Sequence, residues 1–162
     1  MIGSKLLQAF NEQIRHEQAS SHLYLAMAAD FHYKGLDGIA GWFRAQAREE
    51  EGHALKFFDH IKDRGGKIEL EALSKPKTEW ASPLEAFEDA YKHEQFITGK
   101  IDDLVNLAAS EKDNASAVFL QWFVTEQVEE EAQTSKIVQT LKMIGNSGGS
   151  LVMLDHQLGK RS

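Results

Sequence analysis

The sequence predicts an all-α protein: four long helices, a long connection between the second and third, and a short fifth helix at the end. Three observations predict it. Four stretches place apolar residues at alternating steps of three and four, the spacing that keeps side chains on one helix face. No stretch alternates apolar and polar residues as a half-buried strand does. The chain has only two prolines, Pro76 and Pro83, and neither falls in the interior of a predicted helix.

The first helix, over residues 5–33, carries Leu7, Phe10, Ile14, Glu17, Ser21, Tyr24, Ala28 and Phe31 along one face. A short joint, Lys34 to Leu36, turns the chain into a second helix over 37–64, with Ile39, Phe43, Gln46, Glu50, His53, Phe57 and His60 on its face. Such a joint makes an antiparallel hairpin. Gly65 to Ser82 then form a connection of 18 residues opened by Gly65-Gly66. A helix of about 28 residues is ~42 Å long, and 18 extended residues reach ~59 Å. The connection is therefore long enough to climb the whole bundle, which sets the second and third helices parallel. Ser82 is the expected N-cap of the third helix and Pro83 its first residue. That helix, 83–110, aligns Leu84, Phe87, Tyr91, Glu94, Thr98, Ile101, Val105 and Ala108. Ser110 to Asp113 close a second hairpin onto a fourth helix, 114–144, with Leu120, Phe123, Gln127, Glu130, Thr134, Ile137 and Leu141 on its face. Gly145 to Gly149 stop it. A fifth helix over 150–160, holding Leu151, Val152, Met153, Leu154 and Leu158, is too short to stand alone. It either docks on its own bundle or packs between subunits, and the sequence leaves both open. The whole chain, 1–162, reads as a single domain whose bundle spans 5–144.

Every one of the four faces begins apolar and turns polar in the middle. Glu17 lies 16 residues before Tyr33, and Glu50 lies 13 after Asp37; at 1.5 Å per residue these are ~24 and ~20 Å from their shared turn. Glu94 lies 16 before Ser110 and Glu130 lies 16 after Asn114. Packed as antiparallel hairpins, the helices bring four glutamates to one height. His53, three residues after Glu50, reaches the same point.

An uncompensated buried carboxylate costs several kcal/mol, and four of them repel one another unless cations lie between. No Lys or Arg falls on these faces near that level. Oxygen-loving first-row cations suit carboxylates, and an imidazole adds a nitrogen donor suited to iron, zinc or copper. Glu17, Glu50, His53, Glu94 and Glu130 are thus read as metal ligands, with Gln127 beside them and the Tyr24 phenol touching the site. Glu-rich runs such as Glu49 to Glu51 and Glu126 to Glu131 otherwise read as solvated helix faces. His60 is read as solvated or hydrogen-bonded, and His16, His22 and His93 lie off the seams.

Composition narrows the function classes. At 162 residues and 42% hydrophobic content, the chain can bury a core. A formal charge of −7 with no basic arm argues against nucleic-acid binding. The absence of cysteine excludes disulfides, thiolate ligands, iron–sulfur clusters and cysteine nucleophiles. No apolar run approaches membrane-spanning length and Met1 to Lys5 open no signal-peptide core, so a cytoplasmic protein without membrane partners is expected.

With this ligand set, crossover and short fifth helix, the chain resembles the bacterial non-haem ferritins along essentially its whole length. The resemblance implies a ferritin-like four-helix bundle that stores iron and acts as a ferroxidase. Fe(II) is oxidised by dioxygen at a di-iron centre, and a ferric oxide mineral is deposited inside a homo-oligomeric shell of 24 subunits. It implies that Glu17, Glu50 and His53 bind one iron and that Glu50 bridges to a second held by Glu94 and Glu130. Gln127 would lie nearby, and Tyr24 would be a one-electron donor. Glu49, Glu126 and Glu129, joined by Glu130, match a third iron site. A bacterioferritin would carry a second Glu-x-x-His where this chain has Gln127-Val128-Glu129-Glu130, and a haem-binding methionine where it has Glu51, so no haem is expected. Rubrerythrin-like proteins need cysteines. Starvation-induced mini-ferritins place their iron between subunits. A di-iron oxygenase or peroxidase acting on an organic substrate could use the same ligands, whereas a purely structural bundle would pair its buried acids with basic groups.

Overall fold

The computed structural model describes residues 1–161, which form five helices and, among those residues, no strand. They are α1 (Ser4–Tyr33), α2 (Asp37–Asp63), α3 (Pro83–Ser110), α4 (Asn114–Ile144) and α5 (Gly148–Leu158). Local chemistry sets the ends. After α1, Gly35 takes a positive φ of 80°. That conformation, which glycine adopts without steric cost, lets Gly35 and Leu36 N–H groups return to the His32 and Phe31 carbonyls. Ser82 caps α3 by accepting from Glu85 N at 3.1 Å, with Pro83 at the first position. Asp113 caps α4 and is itself held by Arg64 from the end of α2 at 3.0 Å.

Cross-helix contacts fix the topology. The crossover starts beside Asn11, whose side chain donates to Lys67 O and accepts from Glu69 N at 3.0 and 2.9 Å. It finishes at buried Trp80, whose N–H donates to Asp30 at 3.1 Å near the far end of α1. The connection therefore climbs the bundle, and α2 and α3 run parallel as the length of the loop predicts. Pairs along the other seams run antiparallel: His16 to Phe96 and Ser20 to His93 between α1 and α3, and Gln46 to Glu130 and His60 to Phe119 between α2 and α4.

The core is split in two. Tyr24, Met27, Phe31, Phe43, Phe87 and Trp80 belong to one apolar cluster, and Leu6, Phe10, Phe57, Ile101, Leu120 and Phe123 to the other. Between them lie the buried polar groups Glu17, Gln46, Glu50, Glu94, Gln127 and Glu130. On α1 the buried line runs through Leu6 and Ser20, where the three-four spacing picked Leu7 and Ser21. A helix packed against two neighbours buries a stripe wider than one seam, so adjacent positions share the inside.

The fifth helix docks on its own bundle. Leu154 is buried, Asp155 accepts from Ile39 N at 2.8 Å, and α5 thereby supplies the side-chain cap that α2 lacks at its own N-terminus. Val152 and Met153 face outward, 66% and 75% exposed. Gly38 makes this docking possible, because a Cβ there would stand 1.7 Å from the Asp155 carbonyl oxygen. Gly38→Ala is expected to push α5 off α2 and destabilise the protein by ~1–3 kcal/mol. Limited proteolysis past Gly145, compared with the parent, checks this. Equal resistance would show that α5 tolerates the methyl group.

Candidate metal centre

Each of the four bundle helices contributes to one buried layer: Glu17 from α1, Glu50 and His53 from α2, Glu94 from α3, Glu130 and Gln127 from α4. They sit there because each seam reaches mid-helix at the same height. Glu17, Glu50 and His53 offer donor atoms within 4.8 Å of one another, as do Glu50, Glu94 and Glu130. Glu50 belongs to both trios. Its two oxygens divide the work: Oε2 lies 3.0 Å from His53 Nδ1, while Oε1 accepts from Gln46 Nε2 at 3.1 Å.

Hydrogen bonds orient the carboxylates. Gln13 donates to Glu17 Oε1 at 3.0 Å, one turn along α1. Gln46 Nε2 also donates to Glu130 Oε2, at 2.6 Å. Gln127 Nε2 donates to Glu94 Oε2 at 3.1 Å, and the Tyr24 hydroxyl donates to Glu94 Oε1. Tyr24 is fully buried, stacked on Phe43 with His93 at its edge. Glu17 Oε2 is buried without a hydrogen-bond partner among the described residues, a bare acceptor in the first trio. Among the described residues no Lys or Arg pairs with the four buried glutamates; the ion pairs of Glu17 and Glu50 are with His53.

Electrostatics follow from that crowding. Burial, then the charge of Glu94, pushes the Glu50 carboxyl well above its usual range. Burial also raises Glu94, against the bonds from Tyr24 and Gln127. Glu130 is raised to about 8 by burial and by the Glu94 charge. Burial alone would lower His53, but its contacts with Glu17 and Glu50 override this and push it up to about 11. The Tyr24 phenol is raised well above its ordinary value by burial and by Glu94. A metal-free layer therefore holds protons that cations would displace. Four carboxylates with one imidazole, a bare Glu17 oxygen and, among the described residues, no Lys or Arg partner fit hard first-row divalent ions.

The remaining expected residues are placed less uniformly. Glu126, partly exposed, lies 3.9 Å from His53 Nε2 and forms a third donor group with His53 and Glu130. Glu49 and Glu129 are exposed, and Glu49 is paired with Arg161 at 2.9 Å. His60 stacks on Phe119 at 4.1 Å and contacts Ser116, as a hydrogen-bonded histidine should. His93, off the seam, is nevertheless held at the site's outer side by Ser20 at 2.6 Å, and burial lowers it to about 4. Sequence reasoning gave no site role to Gln13 and Gln46. The signal was present: each stands four residues before a seam glutamate, the helical step that lets an amide reach a carboxylate.

Fold and centre together define a class: a crossover four-helix bundle with a carboxylate and imidazole layer at mid-height. The family described as Ferritin-like domain matches residues 7–144. A bacterial non-heme ferritin of Bacteroides fragilis is 44% identical over 161 residues, covering 99% of this chain and 100% of the relative. One from Staphylococcus aureus is 39% identical, covering 100% of this chain and 98% of the relative. Among solved structures, an open-pore ferritin from the hyperthermophilic archaeon Archaeoglobus fulgidus superposes with a TM-score of 0.99 at 46% identity, covering 100% of both chains. The chain belongs to the ferritin family.

Proposed function

We propose that this chain stores and detoxifies iron, oxidising Fe(II) with dioxygen at the buried layer and depositing ferric oxide inside a hollow homo-oligomeric shell of about 24 subunits, a number taken from family likeness. The observation that carries this reading is Glu50, shared between two three-donor groups whose glutamates pair, among the described residues, with no Lys or Arg. Glu17, Glu50 and His53 hold one ferrous substrate ion, and Glu50, Glu94 and Glu130 hold the other. Gln127 orients Glu94, and Tyr24, bonded to the same carboxylate, is the one-electron donor for reduction past the peroxide level, with the third ion giving the fourth electron that takes dioxygen to water. Glu126 with Glu130, and with Glu49 and Glu129 once they turn inward, receives a third ion.

The chain's own groups set the chemistry. Two ions side by side each give one electron, taking dioxygen to the peroxide level without releasing superoxide. Anionic donors favour the higher charge of Fe(III). His53 and Glu130 surrender their protons as ions enter, so loading releases acid. The outward face of α5, with Val152 and Met153, is available for packing between subunits. No helix among the described residues is long and apolar enough to cross a membrane. The reading places a single-domain protein, 1–162, in the cytoplasm, with neither haem nor nucleic acid as partner.

Anaerobic Fe(II) titration followed by oxygen tests this, with iron per particle read after gel filtration. Hundreds of irons or more co-eluting with a large shell is the expected result. Two or three irons per subunit that oxidise but never accumulate would replace storage with a di-iron enzyme acting on an organic substrate.

A further inference from the structure

Gln46 is completely buried on α2, one turn before Glu50, and its carboxamide is used at only one end. Its Nε2 donates to Glu50 Oε1 at 3.1 Å and to Glu130 Oε2 at 2.6 Å. Its Oε1 is buried with no hydrogen-bond partner among the described residues. Both partners of Nε2 are carboxylate oxygens of the second donor trio, Glu50, Glu94 and Glu130. Only the N–H end can donate to both of those oxygens at once, and it is the end that faces them. A buried acceptor left without a partner is unusual enough to need a reason.

We propose that Gln46 is a reversible amide clamp for the second cation position. Without a cation its N–H end ties Glu50 to Glu130. When a divalent ion takes those two oxygens, the N–H end meets positive charge and the orphan carbonyl end becomes the favoured one. A half-turn about the last side-chain bond exchanges the two ends with almost no change of shape, and Oε1 then faces the ion, or water bound to it, as a neutral oxygen donor. The clamp is selective for one position. It touches Glu50 at Oε1, whereas the first trio uses Oε2, the oxygen 3.0 Å from His53 Nδ1. Gln46 is thus a positioning residue whose buried carbonyl is held in reserve.

This inference rests on the two-position reading above, and its test separates the two. Anaerobic Co(II) titration of the whole protein, followed by absorption and by calorimetry, resolves the two positions without any oxidation. Wild type is expected to bind two ions per subunit. Gln46→Leu, similar in bulk but without polar ends, is expected to weaken the second position by about 10–100-fold, the usual range for groups that orient ligands. The first position is expected to stay within about twofold of wild type, because its Glu50 oxygen is untouched. Gln46→Glu, the same shape with acceptors at both ends, is expected to restore tight second-site binding and the wild-type Co(II) spectrum while melting lower when metal-free. Wild type binding two ions with Gln46→Leu unchanged, or weakened equally at both positions, would overturn the clamp alone. So would Gln46→Glu binding as weakly as Gln46→Leu, because the carbonyl end would then play no part. Wild type binding no pair of ions would remove the two-position reading and the clamp together.

Discussion

Glu50→Gln is expected to abolish paired iron binding and, in the same protein without metal, to raise the melting temperature. The two effects have one origin. Glu50 lies in both the first and the second donor trio, and among the described residues no other side chain belongs to those two. Glutamine keeps the volume and one acceptor but loses the charge, and a neutral amide does not bridge two cations as a carboxylate does. Ferrous oxidation should fall by at least ~100-fold, equivalent to about 2.7 kcal/mol of barrier. The metal-free layer responds in the opposite sense. Glu50 is fully buried among Glu17, Glu94 and Glu130, and its charged form is disfavoured by burial and by the Glu94 charge. Glutamine is neutral without taking up a proton on folding, which removes that cost, and a gain of ~1 kcal/mol would appear as about 2–4 °C in a chain of this size. Calorimetry of chelator-treated protein and a stopped-flow oxidation assay read the two signs. A variant that melts lower without metal, or that oxidises iron at the parent rate, would contradict the assignment.

The second large effect is a dependence of metal-free stability on pH that loading reverses. Glu130 stands at about 8 in the fold against 4.5 for an ordinary carboxyl, and His53 at about 11 against 6.5. Both retain protons that the unfolded chain gives up. The stability they contribute is complete below the unfolded values and is lost as pH rises through about 8 and then toward 11. His93, lowered to about 4 by burial, acts oppositely, because the unfolded chain binds its proton between about 4 and 6.5 while the fold does not. His16 and His60 are lowered too, by burial first, and add to that opposition. Between about pH 6.5 and 8.5 the opposition is absent, and the melting temperature of metal-free protein should fall steadily. Saturating Zn(II) should reverse the slope, since its ligands must be deprotonated. Scans at both ends of that range, with chelator and with Zn(II), decide it; parallel slopes in the two series would mean that the buried layer does not hold the ions.

Much of the molecule was legible in the sequence because its organising forces are local. Ser82 and Pro83 mark the start of α3, and Gly35 marks the first hairpin, as propensity alone requires. The expected spans 83–110 and 114–144 coincide with α3 and α4, and those of α1 and α2 differ by a residue at one end. The fifth helix begins at Gly148, two residues earlier than expected. The glycines that read as a stop are also the first turn of α5, capped by Ser147. The five principal carboxylate and imidazole positions were visible because a charge on an apolar seam contradicts its surroundings. Residues placed by geometry rather than periodicity were not visible. Trp80 is buried although it lies in a connection, since Asp30, Asp89 and Lys34 gather around it. His93 reaches Ser20 across a helix pair, and no spacing within one helix reports a contact between two. Gln46 read as an ordinary polar interruption, because its significance lies in which end of an amide is left bare.

The divided core also governs traffic. Phe31, Phe43 and Phe87 stopper the bundle on one side of the charged layer, and Phe10, Phe57 and Phe123 stopper it on the other. An ion travelling lengthwise would have to shed its water among aromatic rings, so the barrel is closed as a pipe. Passage must be crosswise, through a seam between helices. On the α2–α4 seam Glu126, 22% exposed, stands beside the buried His53, the point where a carboxylate joins solvent to the layer. The greasy plugs that hold the helices together thus also leave the charged layer reachable only from the flanks of the bundle.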